Sequence, residues 1–340
     1  MSSDKTIILI TGCAGWLASL LIHTLLADPD TPNCHLILAD VVQPTSPVGA
    51  PAIAFKADLT DTAEIEKLFT TEFGVPDIVY ALHGIMSRGA EDNFDLGLKV
   101  NIDSVRMLLD AARHYGEAAG KLIKFIFTSS LAVYGGPLPE VVTPNTIATP
   151  ESAYGMAKLA SELAINEYSR RGLVDGRVLR LPTIVVRPGP PAAATSAFLS
   201  GIIREPLKGT SAVCPIGTSP TDPKLDALHT WLASPHTTVS NLVHASHIPA
   251  SRFLRHTRVV CLPGFTASVR ELLDALAEVA GPEALELVRF EDDAVSRKIV
   301  GSWPARFDDA YARELGFVGD EGGMVPIVRR FKEDVEAGRA

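Results

Sequence analysis

The chain has 340 residues, 46% of them hydrophobic and 21% charged, a mix that excludes intrinsic disorder in a chain long enough for two cores of ordinary size. Against 40 Asp and Glu stand 31 Lys and Arg, and the net charge of −9 argues against a nucleic-acid-binding surface. No apolar run reaches the roughly 18 residues of a membrane span. The opening residues run into a strand-like segment rather than a cleavable leader, so no membrane partner and a cytoplasmic location are expected.

In chain order, Ile7–Thr11, His35–Asp40, Ile53–Ala57, Ile78–His83, Leu122–Ser129 and Arg177–Leu181 read as strands. They are dense in Ile, Val and Leu without polar alternation, the pattern of a parallel sheet covered on both faces. Between them Trp16–Ala27, Ala63–Glu72, Asp95–Tyr115 and Tyr154–Arg171 read as helices. This alternation predicts a Rossmann-type α/β domain, a doubly wound parallel sheet, over residues 1–187.

From Pro188-Gly-Pro-Pro191 the composition shifts to Pro, Thr, Ser, Gly and Ala, and residues 188–340 are expected to form a smaller C-terminal substrate lobe. There Thr195–Arg204, Val269–Ala280 and a segment from Val325 to about Glu336 read as helices, and Ser211–His229 as a loop. Val259–Leu262, within 258–264, is a strand candidate for return to the sheet. Glu291–Asp293 reads as a solvated acidic turn, and Trp231 and Trp303 as packing residues. Cys13, Cys34, Cys214 and Cys261 lie too far apart for a metal or redox motif and read as reduced thiols. His244 and His247 can share a helix face but lack a third ligand of suitable spacing, so no metal is expected.

Thr11-Gly-Cys-Ala-Gly-Trp-Leu-Ala18 follows the first strand and opens the first helix with the spacing of a dinucleotide loop. Gly12 allows the tight turn, Gly15 lets the backbone approach a pyrophosphate at the helix N-terminus, and Ala18 takes the packing position of the third glycine. Asp40, about 20 residues on, ends the second strand, where a carboxylate accepts the ribose hydroxyls of NAD and repels the 2′-phosphate of NADP. No Arg or Lys follows in Val41–Val48 to reverse that preference. Asp58 and Leu59, after the third strand, are placed to meet the adenine.

Tyr154 and Lys158 stand at i and i+4 of one helix face. A phenol ionises near pH 10, so action as a base near pH 7 requires roughly 4 kcal/mol of stabilisation of the phenolate. An ammonium about 4 Å away at an effective dielectric near 20 supplies about that much. Thr128-Ser-Ser130 ends a strand upstream, where a hydroxyl can hydrogen-bond the reacting oxygen.

The glycine loop, Phe127-Thr-Ser-Ser-Leu-Ala-Val-Tyr-Gly135 and Tyr154-x-x-x-Lys158 together resemble the extended short-chain dehydrogenase/reductases, over nearly the whole chain. Ala90-Glu-Asp-Asn-Phe-Asp-Leu-Gly97, Tyr168–Gly176, Leu181–Gly189, Gly201–Leu207, Leu262–Phe265 and Ser302–Pro304 resemble the branch that oxidises a four-carbon sugar acid, D-erythronate, at C2 with NAD. The resemblance implies Ser130, Tyr154 and Lys158 as catalytic residues. It implies Gly12, Gly15, Trp16 and Leu17 at the pyrophosphate, Asp40 at the ribose, Asp58 and Leu59 at the adenine, and Leu82, His83, Asn101, Thr128, Pro182 and Thr183 along the rest of the cofactor. It also implies a homodimer.

Two stretches depart from the family. Ala81-Leu-His-Gly84 stands where His-Leu-Ala-Ala is common, and Arg88 follows Ser87 where a smaller residue is expected. A sugar acid needs a cation for its carboxylate and polar groups for its hydroxyls. The candidates are Ser87, Arg88, Ser130, Tyr154, Thr183, Arg187, Ser196 and Arg204, although each arginine is equally readable as a surface ion pair. A nucleotide-sugar epimerase or dehydratase, and an NAD-binding redox sensor, are the rival readings.

Overall fold

The structure, a computed structural model, describes residues 5–189 and 196–339. Six strands, β1 (Thr6–Thr11), β2 (Cys34–Asp40), β3 (Ala52–Lys56), β4 (Ile78–Ala81), β5 (Lys124–Ser130) and β6 (Asp175–Leu181), form one parallel sheet. Val259–Cys261 returns to its edge beside β6, giving the order Val259–Cys261, β6, β5, β4, β1, β2, β3. The chain winds outward in one direction from β1 and in the other from β4. A crevice therefore opens at the carboxyl ends of these two strands, where the order reverses.

Alternate residues of each strand feed opposite faces, and both faces are apolar. Ile8, Ile10, Leu36, Leu38 and Ile126 pack with Leu21 and Leu25 of the Trp16–Leu26 helix and Leu242 of the Pro235–His247 helix. Leu9, Ile37, Val79, Phe125 and Phe127 pack on the other side with Ile65, Leu68, Leu108 and Leu109. A separate cluster, including Leu199, Ile202, Leu272, Leu276, Val328 and Phe331, fills the C-terminal part.

The expected helix Asp95–Tyr115 lies within a continuous helical run, Phe94–Leu98, a π turn at Lys99–Asp103, and Ser104–Ala118. Two expectations are corrected. Ser211–His229 is not a bare loop. Ala212–Cys214 pairs in parallel with Val288–Phe290, Cys214 and Val288 both entering the second core, and Lys224–Ala227 is a helical turn. Glu291–Asp293 is anchored rather than solvated. Asp292 accepts from the Gly217 amide and pairs with Lys224 and Arg297, while Asp293 caps the Ala294–Gly301 helix. The helix expected from Thr195 runs Ala197–Leu207, and Thr195 itself lies outside the described residues.

His229–Ala233, expected only as a loop end at His229 and a packing residue at Trp231, is a strand that joins Thr183–Ile184 to Phe265–Ser268. His244 bonds the Leu315 carbonyl and His247 meets Asp28, so neither faces a shared ligand. No helix of the described residues is long and apolar enough to cross a membrane.

Candidate active site

The glycine loop lies at the crevice. Gly12 has φ +78°, and a Cβ there would stand 2.8 Å from the His83 amide nitrogen. Its own N–H and that of Cys13 donate to the Ala39 carbonyl at 2.9 and 3.3 Å, tying the loop to β2. Gly15 precedes the Trp16–Leu26 helix without a side-chain cap, so the first-turn amides and the positive end of the helix dipole are left for an anion. This cradle, which side chains at Gly12 and Gly15 would fill, fits a dinucleotide pyrophosphate. Asp40 accepts from the Ala14 amide at 2.9 Å and the Val42 amide at 3.0 Å, which fixes its carboxylate beside the loop. Trp16 and Leu17 are half-buried, and Ala18 is buried in the helix–sheet contact. Asp58 is turned onto its own chain, where the Thr60 amide and hydroxyl hold its carboxyl below the usual range; Leu59 beside it is in the core.

After β4 the chain is locked from both sides. The Ser104 hydroxyl donates to the Val100 carbonyl at 2.5 Å and lies 2.8 Å from His83 Nε2. On the other side of the ring, Nδ1 lies 2.7 Å from the Thr11 hydroxyl, which also reaches the Tyr80 carbonyl at 3.3 Å. Burial, and next the Lys158 charge, push the His83 imidazole down to about 3, so the ring is neutral. The departure from the family pattern thus cross-links two elements, and His83 offers the cofactor crevice its backbone rather than its ring. Asn101, in the π turn, accepts from the Ile85 amide at 2.8 Å and donates to its carbonyl at 2.9 Å. Its own carbonyl accepts from Ser161 at 3.0 Å, joining this segment to the Tyr154 helix.

Ser152 caps the Ala153–Arg170 helix by accepting from the Gly155 amide at 3.0 Å. A Cβ on Gly155 would lie 2.0 Å from the Ala132 carbonyl oxygen. Only glycine lets this helix press on the Leu131–Val133 turn, and that contact brings Tyr154 to Ser130. Ser130 Oγ accepts from the Ala132 amide at 3.1 Å, and its hydroxyl favours the Tyr154 phenolate.

Lys158, 4% exposed, donates from Nζ to the Thr128 carbonyl at 2.8 Å and lies 4.5 Å from the Phe127 ring centre and 5.6 Å from that of Tyr154. The expected lowering of the phenol by Lys158 is not found in the free chain. Burial pushes Tyr154 up to about 12, and the opposing influences are the Arg187 charge first and the Ser130 hydrogen bond second. Burial also brings Lys158 down to about 8, against the pull of Glu162.

The candidate arginines separate by their partners. Arg187 donates from Nε to the Ile184 carbonyl at 3.0 Å and makes a long 3.4 Å contact to Ser196 Oγ; among the described residues Nη1 makes no hydrogen bond. Arg88 lies on the surface, where its Nε meets both oxygens of Asp92 at 2.9 Å. Arg204 is buried and spent on Glu205 at 2.6 Å and the Arg187 carbonyl at 3.0 Å, so it braces Arg187 rather than facing a ligand. Thr183 and Pro182 are buried where the chain leaves β6, and Ser87 starts the short Ser87–Asp92 helix, half-buried.

Sequence reasoning missed Glu162, Arg180 and Ser129. Glu162 follows Lys158 by one helical turn, a polar row at i, i+4 and i+8 that was visible in the sequence. It is 1% exposed, receives the Ser129 hydroxyl, and is bridged by Arg180 through Nε at 2.9 Å and Nη2 at 2.5 Å.

Comparison with known proteins agrees with this geometry. The family model described as "NAD dependent epimerase/dehydratase family" matches residues 8–229. The chain is 41% identical over 327 residues to the D-erythronate dehydrogenase of Haemophilus influenzae, covering 96% of this chain and 98% of that protein. It is 42% identical over 335 residues to the enzyme of that name from Cupriavidus necator, with the same coverages. Among solved structures, one described as a nucleoside-diphosphate-sugar epimerase from Agrobacterium tumefaciens superposes with a TM-score of 0.89 at 37% identity, over 99% of this chain and 96% of that one. With a glycine cradle at the switch point of its sheet and a matching model over most of its length, this chain belongs to the NAD dependent epimerase/dehydratase family.

Proposed function

We propose that the protein oxidises the C2 hydroxyl of D-erythronate, or a close four-carbon sugar acid, to the 2-oxo acid with NAD as oxidant. The observation that carries this reading is the setting of Tyr154: one buried phenol with the Lys158 ammonium 5.6 Å from its ring centre, and with Ser130 and Arg187 both favouring its phenolate. That set provides an acid/base, a holder for the reacting oxygen and a cation for a substrate carboxylate. Identity of 41–42% to two D-erythronate dehydrogenases over nearly the full chain supports the substrate.

Bound NAD would supply the hydride acceptor and, in its oxidised form, a positive charge. The loop at Gly12 and Gly15 would hold its pyrophosphate, and Asp40 its adenosine ribose. Lys158, oriented by the Thr128 carbonyl, would hold the nicotinamide ribose. Ser130 Oγ donates to the C2 oxygen, Tyr154 Oη takes its proton as the carbonyl forms, and Arg187 fixes the carboxylate so that C2 alone is presented.

The test is NADH absorbance with the purified protein and a panel of four-carbon sugar acids. Turnover of erythronate with no action on UDP-sugars is expected. A protein that interconverts UDP-sugars without accumulating NADH would instead take the second reading, an epimerase, which the 37% likeness to the Agrobacterium protein favours.

Asp40 sets the choice of NAD over NADP. Asp40→Ala is expected to raise the KM for NAD about tenfold, the weight of roughly one charge-assisted hydrogen bond, and to narrow the gap to NADP. Cofactor KM values for both variants check this.

A homodimer is part of the same proposal. Phe94, Leu96 and Leu163 lie exposed on the Phe94–Leu98 and Ala153–Arg170 helices, an apolar set on neighbouring elements of the catalytic side. Sedimentation is expected to give twice the 36.3 kDa chain mass.

A further inference from the structure

We propose that Glu162 and Arg180 form a positioning pair that holds the end of β5 and the Lys158 ammonium in register with Tyr154, a role that rests on the dehydrogenase reading above. The geometry converges from three strands and one helix. Ser129 of β5, Arg180 of β6 and Cys261 of the edge strand are direct register partners. Ser129 and Arg180 both reach across to Glu162 on the helix that carries Tyr154 and Lys158. From the same guanidinium, Nη1 donates to the Tyr134 hydroxyl at 2.5 Å, at the end of the turn that follows Ser130. One buried ion pair therefore ties together the residues on either side of Ser130 and the helix turn beyond Lys158. The Lys158 ammonium, bonded to the Thr128 carbonyl, lies within this frame.

The pair is also an electrostatic balance. Lys158 is buried and its ammonium is disfavoured there, while Glu162 opposes that loss. Facing this region from the packed elements are Tyr154 on the same helix, neutral His83 after β4, Arg180 on β6, Tyr134 after the turn and Cys261 on the edge strand. Arg180 and Glu162 form the ion pair of this region, and removing one leaves the other uncompensated in a low-dielectric site. Glu162→Gln leaves the guanidinium, which disfavours the Lys158 ammonium. Arg180→Gln leaves the carboxylate, which favours it. A side chain that only stabilises the fold has no reason to produce opposite signs from its two halves.

The experiment is the pH dependence of kcat/KM for erythronate oxidation in the full-length protein. Activity falls on the alkaline side as Lys158 loses its proton. Glu162→Gln is expected to move that limb down by about one pH unit and Arg180→Gln to move it up by a similar amount. Glu162→Asp, which keeps the charge, is expected to leave the limb close to its original position. A loss independent of pH in the two glutamine variants, or a shift of both limbs in the same direction, would overturn the proposal; should one variant not fold, the sign of the other decides. Lys158→Met separates the two levels. Full activity in that variant sinks the catalytic reading itself, whereas an inactive Lys158→Met beside unshifted Glu162→Gln and Arg180→Gln profiles sinks only the role of the pair.

Discussion

Replacing Tyr154 with phenylalanine is expected to lower kcat for erythronate oxidation by about 10²–10⁴, the usual weight of a positioned acid/base, while NAD still binds. The substitution removes one oxygen and keeps the ring, so the helix contact at Gly155 and the placement of Lys158 near the ring face are retained. The glycine loop and Asp40 are untouched, which is why cofactor affinity, read by fluorescence quenching, should survive. The pH dependence follows from the environment of the phenol. Burial pushes Tyr154 up to about 12 in the free chain, so the neutral form dominates at pH 7. Oxidation consumes the phenolate, and its kcat/KM is therefore expected to rise with pH as the phenol ionises in the NAD complex, up to the alkaline limb where Lys158 loses its proton. Reduction of the 2-oxo acid consumes the neutral phenol and is expected to lose rate over that same interval. In Tyr154→Phe both dependences should vanish together with the rate. Turnover at wild-type speed by this variant would remove the phenol from the reaction.

How much of this was legible in the sequence depends on how local each signal is. The glycine spacing after β1, Asp40 at the end of β2, and the Tyr154–Lys158 interval are each written within one or two elements. The structure gathers the loop and Asp40 through hydrogen bonds between adjacent strands. The electrostatic partner of the phenol was not legible. A helical interval fixes that Lys158 is on the same face, but not that the Thr128 carbonyl captures its ammonium or how deeply the phenol is buried. The arginines show the same limit. Arg88, Arg187 and Arg204 are indistinguishable as letters, and only the carboxylates of Asp92 and Glu205 neutralise two of them. Glu162 and Arg180 were missed because their pairing crosses from the helix to β6. In the C-terminal part, Ala212–Cys214 looked like loop because its partner, Val288–Phe290, lies far along the chain and each strand is only three residues long.

Arg187→Met is expected to lower kcat/KM for the sugar acid about 10²-fold or more, and to do so in two separable ways. A forked, charge-assisted contact to a carboxylate is worth roughly 2–3 kcal/mol, and its loss should appear as a higher KM. Arg187 is suited to that contact because its Nε is held by the Ile184 carbonyl and its backbone carbonyl is braced by Arg204, so the guanidinium is oriented before substrate arrives. Its charge is also the largest influence favouring the Tyr154 phenolate. Without it the phenol ionises at still higher pH, and the rising limb of the oxidation profile should move to more alkaline values. Lysine at this position separates the effects: it keeps the charge, so the limb should stay close to its original place, but it lacks the planar fork, so KM should remain high. A profile of KM and kcat against pH for the wild type and both variants checks each component. If methionine raises KM and leaves the limb fixed, the carboxylate contact stands and the charge on the phenol must come from the cofactor side alone.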